Sequence, residues 1–300
     1  MQSSIAQDLE TDGVALLPQL VDAQTMADMQ SAFAARLNRL RWNDQDGYER
    51  TELYRHMVQD ILTLAQGFVD VALHPVVREA LDAYLGSSYA LVEAKGWKSL
   101  PTMRDFHGWH GDAWYDQDKV TDRVPREVKL GFYLTDVKSG TFQYLKGTHG
   151  KQAPRPYSAV ESNEFPLDQM VEMKGPAGTG FLFDTSGIHR QAYPILEPRQ
   201  AFFLNYHDPS IPLQKEDLDY YRYHPLLLNA AFLGNLTPDD MRILGFGDKS
   251  NHVPAYQRSE QHAGFQALMR AGYGAKLVVD DFGGRVARKM RRLLGRNGAH

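Results

Sequence analysis

No cysteine occurs among the 300 residues. Disulfides, thiolate zinc sites, iron–sulfur clusters and cysteine nucleophiles are therefore excluded, and any metal must be held by nitrogen and oxygen. No apolar stretch approaches the ~20 residues of a spanning helix. The opening, "MQSSIAQDLETDG", lacks both the basic start and the apolar run of a signal peptide. A cytoplasmic protein is the expectation. Positive charge is not in excess either: 33 Lys and Arg against 37 Asp and Glu leave a formal charge of −4. That balance argues against nucleic acid as a partner. No glycine loop of the phosphate-cradling kind is seen, and there is no internal repeat or low-complexity linker.

What the chain does have is 43% hydrophobic residues, enough for a full core. "GVALLPQL" (13–20) reads as a short strand closed by Pro18. In 22–40, Met26, Met29, Phe33 and Leu37 keep to one helical face behind Asp22 as N-cap. Segments 57–73 and 75–85 read as two more helices, the second opened by Pro75 and ended by Gly86. From about residue 88 the texture changes to short strand candidates rich in aromatic and β-branched residues: "SYALVEAKGWKSL", "EVKLGFYLTDV", "GTFQYLKGT", "QMVEMKG", "TGFLFDT" and "RQAFFLNYH". Such a succession predicts a sandwich or jelly-roll barrel. After 210 the sequence turns helical again. The expectation is one mainly β domain over 1–300, with its β core at about 88–208, a helical part at 20–86 and another at 211–296.

"HGWHGDAW" (107–114) puts two histidines and an aspartate within six positions. In an extended chain His110 and Asp112 stand at i and i+2, on one face, where an imidazole and a carboxylate can converge on one ion. A third ligand must come from elsewhere. In "TGFLFDTSGIHRQAYP" (179–194) an apolar strand runs out into His189. Two histidines and one carboxylate form the facial triad of non-haem Fe(II) oxygenases, with the opposite positions open. Ten residues on, Arg199 begins a strand that would return beside the one carrying His189. Its guanidinium is suited to grip a carboxylate bidentately, as a 2-oxo acid cosubstrate requires.

The H-x-D of "WHGDAW", the distal histidine of "GIHRQAYP" and the arginine ten residues later resemble the phytanoyl-CoA dioxygenase family of Fe(II)/2-oxoglutarate oxygenases. "DGVALLP", "FYLTDV" and "SGTFQYLKGTHG" agree, and the resemblance runs from about residue 10 to 208. Lys146 and Thr148 stand where that family usually has Pro and Ser. The resemblance implies a double-stranded β-helix (cupin-like jelly roll) that binds Fe(II) through His110, Asp112 and His189. It implies 2-oxoglutarate as cosubstrate, its far carboxylate on Arg199, and O2 as oxidant. Succinate and CO2 would be released as a C–H bond of a small-molecule or lipid/glycan-linked substrate is hydroxylated. Halogenating relatives replace the carboxylate with Gly or Ala, so an intact Asp112 favours hydroxylation, or a related desaturation or cyclisation.

Other residues have plainer readings beside the functional ones. His107 lies at an odd offset from His110 and so faces the other way, toward a loop or substrate. Trp109, Trp114 and Tyr115 are candidates for a substrate lining, though aromatics in a β core mostly pack. Lys98 ends a strand where relatives often place a polar group on the cosubstrate, but a solvated lysine is as natural a reading. His149 and His207 read as structural. Arg190, beside the ligand histidine, should point away from it. In the tail, Arg285, Arg288, Lys289, Arg291, Arg292 and Arg296 flank a stripe of Val286, Met290, Leu293 and Leu294. That pattern suits peripheral contact with an anionic membrane, or equally a helix docked on its own domain. Two further functions stay open: a catalytically silent jelly roll that binds a metal or ligand, and a non-oxidative isomerase using another divalent ion.

Overall fold

The computed structural model describes residues 5–38, 54–105, 108–112, 127–150, 167–208, 210 and 226–246, with Ala275, Val279 and Phe282 beyond them. The chain divides into two compact units, residues 1–44 with 49–257 and residues 45–48 with 258–300. In the second, the three described residues are helical and exposed.

The first unit is built on two antiparallel sheets. Its strands are β1 (Val14–Leu16), β2 (Arg55–Val58), β3 (Ala90–Ser99), β4 (Glu127–Tyr133), β5 (Val137–Leu145), β6 (Met170–Gly175), β7 (Gly180–Asp184), β8 (His189–Gln191) and β9 (Arg199–His207). The larger sheet runs β1-β7-β4-β9-β3-β2 and the smaller β6-β5-β8. Its helices are α1 (Ile5–Asp12), α2 (Ala23–Leu37), α3 (Gln66–Ala72), α4 (Pro75–Leu85) and α5 (Pro238–Ile243). Among the described residues no helix is long and apolar enough to cross a membrane.

The pleat divides the larger sheet into two unlike faces. Along β9, Phe202, Leu204 and Tyr206 join Val128, Leu130, Phe132 and Leu182 in the apolar core shared with Met29 and Phe33 of α2, Phe68 of α3 and Leu81 of α4. This is the outer, helix-covered side. The alternate residues face inward in register. Arg199 stands opposite Ser99, Ala201 opposite Trp97 and Tyr133, Phe203 opposite Lys95 and Gly131, and Asn205 opposite Glu93 and Lys129. A side chain at Gly131 would run into the ring of Phe181, so close packing requires its absence.

Most expected elements are found within a few residues, and Asp22 caps α2 by accepting from the Thr25 backbone N–H at 2.7 Å. The expected helix over 57–73 is corrected. Met57 and Val58 belong to β2 and pair with Trp97 and Gly96, so the helix begins only at Gln66. The apolar spacing there suits either element, and the exposed ladder of β3 decides between them. The short helix α1 has no counterpart in the expectations. The helix expected after 210 is found at Pro238–Ile243, while residues 211–225 and the basic segment 285–296 lie outside the described residues.

Candidate metal centre

Residues 108–112 run antiparallel to the segment that leads into β8. His110 N–H donates to the His189 carbonyl at 3.0 Å, and His189 N–H returns the bond to His110 at 2.8 Å. Two residues on, Asp112 N–H donates to the Thr185 carbonyl at 2.8 Å. This local pairing puts His110 and Asp112 on the same side and brings His189 against them. One ligand atom from each of the three lies within 4.8 Å of the others, and all three residues are buried.

Each imidazole is fixed in one orientation. His110 Nδ1 is 3.0 Å from the Gly108 carbonyl and His189 Nδ1 is 2.8 Å from the Gly187 carbonyl, so each Nδ1–H donates to backbone. Their Nε2 lone pairs then face the carboxylate, His110 at 3.5 Å from Asp112 Oδ1 and His189 at 3.4 Å from Oδ2. Tyr144 lies nearly parallel to the His189 ring (8°, 6.3 Å), and its hydroxyl donates to the Asp184 carbonyl at 3.0 Å. A side chain at Gly187 would strike that hydroxyl. Burial, reinforced by His189, pushes His110 down to about 4, so its imidazole is neutral and a ready ligand at neutral pH. Asp112 is buried, which alone would raise it, but Lys129 and the two histidines hold it well below the usual carboxylate range. The set of two imidazoles and one carboxylate fits a divalent transition metal.

Two residues beyond His189 on β8, Gln191 faces the same way and reaches Arg199. With its amide oxygen toward the guanidinium it accepts from Nη2 at 3.1 Å and Nε at 3.2 Å. The guanidinium lies 6.0 Å from the Tyr133 ring centre. Arg199 is only 4% exposed, yet its Nη1 has no hydrogen-bond partner. A buried guanidinium with an unused donor is a natural seat for a carboxylate.

The match to family models covers residues 9–192, more than half of the chain, and is to phytanoyl-CoA dioxygenase. The chain belongs to the phytanoyl-CoA dioxygenase family. It is thus a non-haem iron, 2-oxoglutarate-dependent enzyme by family, and the donor set above fits those cofactors. The search of curated proteins found no match. Among solved structures, the non-haem α-ketoglutarate-dependent epimerase SnoN from nogalamycin biosynthesis aligns at a TM-score of 0.56 and 17% identity, over 78% of this chain and 88% of that one. AviO1 from Streptomyces viridochromogenes Tue57 aligns at 0.53 and 18%, over 71% and 97%. HygX from Streptomyces hygroscopicus, crystallised with nickel and 2-oxoglutarate, aligns at 0.50 and 17%, over 69% and 87%. At these identities the likeness establishes the jelly-roll, cupin-like fold.

The remaining expectations divide. Lys98 stands opposite Gln200, on the face away from Arg199. The cosubstrate contact expected of Lys98 therefore has no support from the pairing of β3 with β9, because a one-residue offset exchanges faces. The lysine on the inner face is Lys95. Arg190 does point outward: its Nε donates to Gln143 at 2.8 Å, and its guanidinium lies 4.3 Å over Trp109. Trp109 itself is packed with Leu145 and Ile188. His149 reaches the Glu10 carbonyl at 3.0 Å, and His207 is fully buried at the end of β9. His107, Trp114 and Tyr115 lie outside the described residues. The two departures from the family's loop have local explanations. Lys146 pairs with Asp12 at 2.6 Å, and the Thr148 hydroxyl accepts from Ile188 N–H at 2.8 Å, directly before His189.

Sequence reasoning missed the buried charges beside the triad. Lys129 Nζ donates to Asp112 Oδ2 at 2.7 Å and lies 4.0 Å from Glu93, which holds Lys95 at 2.6 Å. The signal is present as Glu and Lys at alternate positions inside otherwise apolar strands, "VEAK" and "EVKL".

Proposed function

We propose that this chain is a hydroxylase in which His110, Asp112 and His189 hold Fe(II) and Arg199 seats the far carboxylate of 2-oxoglutarate. The substrate class proposed is a small organic molecule, free or linked to lipid or glycan. Bound there, iron and cosubstrate supply an O2-driven oxidation that converts 2-oxoglutarate to succinate and CO2 and delivers oxygen to a C–H bond. The protein's part is positional. The Nδ1–H bonds to Gly108 and Gly187 aim both Nε2 atoms at one point, and their burial keeps competing water away. Arg199 offers its unpaired Nη1 from the strand that lies next to β3 and β4. The observation that carries the reading is the convergence of His110, Asp112 and His189 on the inner side that also bears this arginine.

SnoN and HygX were crystallised with nogalamycin RO and hygromycin B respectively, which makes small natural products the first class to screen. His107, Trp114 and Tyr115 remain our candidates for substrate contact. A peripheral membrane role for residues 285–296 and a cytoplasmic site of action are likewise proposals, resting on sequence alone.

The test is anaerobic titration of the protein with Fe(II) and 2-oxoglutarate, followed by a substrate screen for O2-dependent succinate. A product heavier by one oxygen atom supports hydroxylation. Succinate release with a product of unchanged mass and an inverted centre would replace it with epimerisation. Absence of Fe(II) binding would leave a silent jelly roll.

A further inference from the structure

We propose that Lys129 is a positioning residue that reserves one oxygen of Asp112, so that this carboxylate presents a single ligand atom to the metal. The inference rests on the metal reading above and adds a role that the triad itself does not supply.

Lys129 Nζ lies 2.7 Å from Asp112 Oδ2, the oxygen that also faces His189 Nε2 at 3.4 Å, while Oδ1 faces His110 Nε2 at 3.5 Å. The lysine reaches this point from the middle of β4, where it is in register with Asn205 of β9 and Phe183 of β7. Its side chain is 9% exposed and that of Asp112 11%, so water does not compete for the contact. From the other side Glu93 approaches Lys129 at 4.0 Å and holds Lys95 through its second oxygen at 2.6 Å. The result is a buried row of alternating sign, Asp112, Lys129, Glu93, Lys95.

Such a row is costly to bury and adds little to stability compared with apolar packing. The fold has apolar alternatives on the same face, since Phe183 stands next to Lys129 in the ladder. What the ammonium does that a phenylalanine cannot is occupy a lone pair of the carboxylate. A facial triad serves a chelating cosubstrate and oxygen only while the positions opposite it stay open. A carboxylate free to chelate through both oxygens would close one of them. Partners that orient ligating groups in this way are a general feature of metal sites.

Cobalt(II) is a suitable probe, because its visible absorption changes with coordination number and needs no turnover. The full-length wild-type protein, Lys129→Met and Lys129→Arg are titrated with cobalt(II) and then with 2-oxoglutarate, with His189→Ala as site control. Lys129→Met is expected to keep cobalt affinity within a few-fold, to alter the cobalt spectrum, and to weaken 2-oxoglutarate binding about 10- to 100-fold. Lys129→Arg, which retains a donor, should restore the wild-type spectrum. A folded Lys129→Met with an unchanged spectrum overturns the proposal. In that case weaker 2-oxoglutarate binding would mean that the lysine touches the cosubstrate. Parallel loss of thermal stability and cobalt affinity without a spectral change would make the row structural, and this too overturns the proposal. If Lys129→Met does not fold, the double variant Glu93→Gln/Lys129→Met, which leaves the row with no net charge, takes its place. A crystal structure of the wild-type cobalt form with Asp112 chelating through both oxygens would also reject the idea. A wild-type cobalt spectrum indifferent to His189→Ala fails earlier, at the metal reading itself.

Discussion

The two sides of β9 come from the same nine residues and yet solve different problems. Its outer side is Phe202, Leu204 and Tyr206 against helices, with the Phe68 and Phe202 rings edge to face at 5.2 Å and the Tyr206 hydroxyl on the Ala72 carbonyl at 2.7 Å. Its inner side carries Arg199, Asn205 and His207, in register with Ser99, Glu93, Lys129 and Glu127 of the neighbouring strands. The first arrangement stabilises by removing apolar surface from water. The second spends part of that stability on buried polar groups, some of them left with an unused donor or acceptor, such as Arg199 Nη1 and Asn205 Oδ1. A fold can therefore be robust and chemically primed in one strand, provided that the two demands fall on opposite parities.

Substitutions on each side should separate these roles. The largest effect is expected inside: Asp112→Ala or His189→Ala should abolish metal binding and turnover while the helix-side core stays intact. Cobalt titration with circular dichroism checks both halves, and near-wild-type affinity in either variant rejects the triad. Outside, Phe202→Ala should cost about 3–5 kcal/mol of unfolding free energy, read by urea titration. Its 2-oxoglutarate affinity per folded molecule should be unchanged, and a shift there would mean that the two sides are coupled.

Acid should also act on the inner side first. Because His110 is held at about 4 when folded against 6.5 unfolded, the unfolded chain takes up the proton earlier. Metal-free protein should therefore be fully stabilised by this group above pH 6.5 and lose on the order of 3 kcal/mol as pH falls to 4. Denaturation midpoints that stay flat across that window would refute it. The smallest effect expected is that of Arg199→Lys, which keeps the charge but loses the planar fork. The Michaelis constant for 2-oxoglutarate should rise by the equivalent of ~1.5–3 kcal/mol, with that for the prime substrate little changed.

How much of this is legible in the sequence follows the same division. Strands β3 to β7 and β9 can be read from aromatic and β-branched runs between turn residues, and His110 and Asp112 from their even spacing. His189 is legible as a histidine just past an apolar strand, while β8 is too short to announce itself. Parity between strands is not legible. Lys95 and Lys98 differ by an odd offset, so one shares the face of Arg199 and the other does not, and only the pairing of Ser99 with Arg199 tells which. Lys129 escapes notice because alternating charges at Glu127 and Lys129 in "EVKLGFY" look like exposed positions until the sheet is assembled around them. Residues 57–73 mislead for a related reason: the local pattern permits a helix, and the edge of a distant strand overrules it.

The reciprocal bonds between His110 and His189 have a consequence for how such an enzyme can diversify. The spacing of the two imidazoles is set by a backbone ring closed between them, at 2.8 and 3.0 Å, and not by the long stretch of chain that separates them in sequence. Segments inserted, deleted or rewritten in the connections between the strands of that stretch leave the ring untouched as long as its two short arms still meet. Descendants of one gene could thus exchange substrates through their loops while inheriting the same coordination geometry, so that selection for a new molecule need not rediscover the metal.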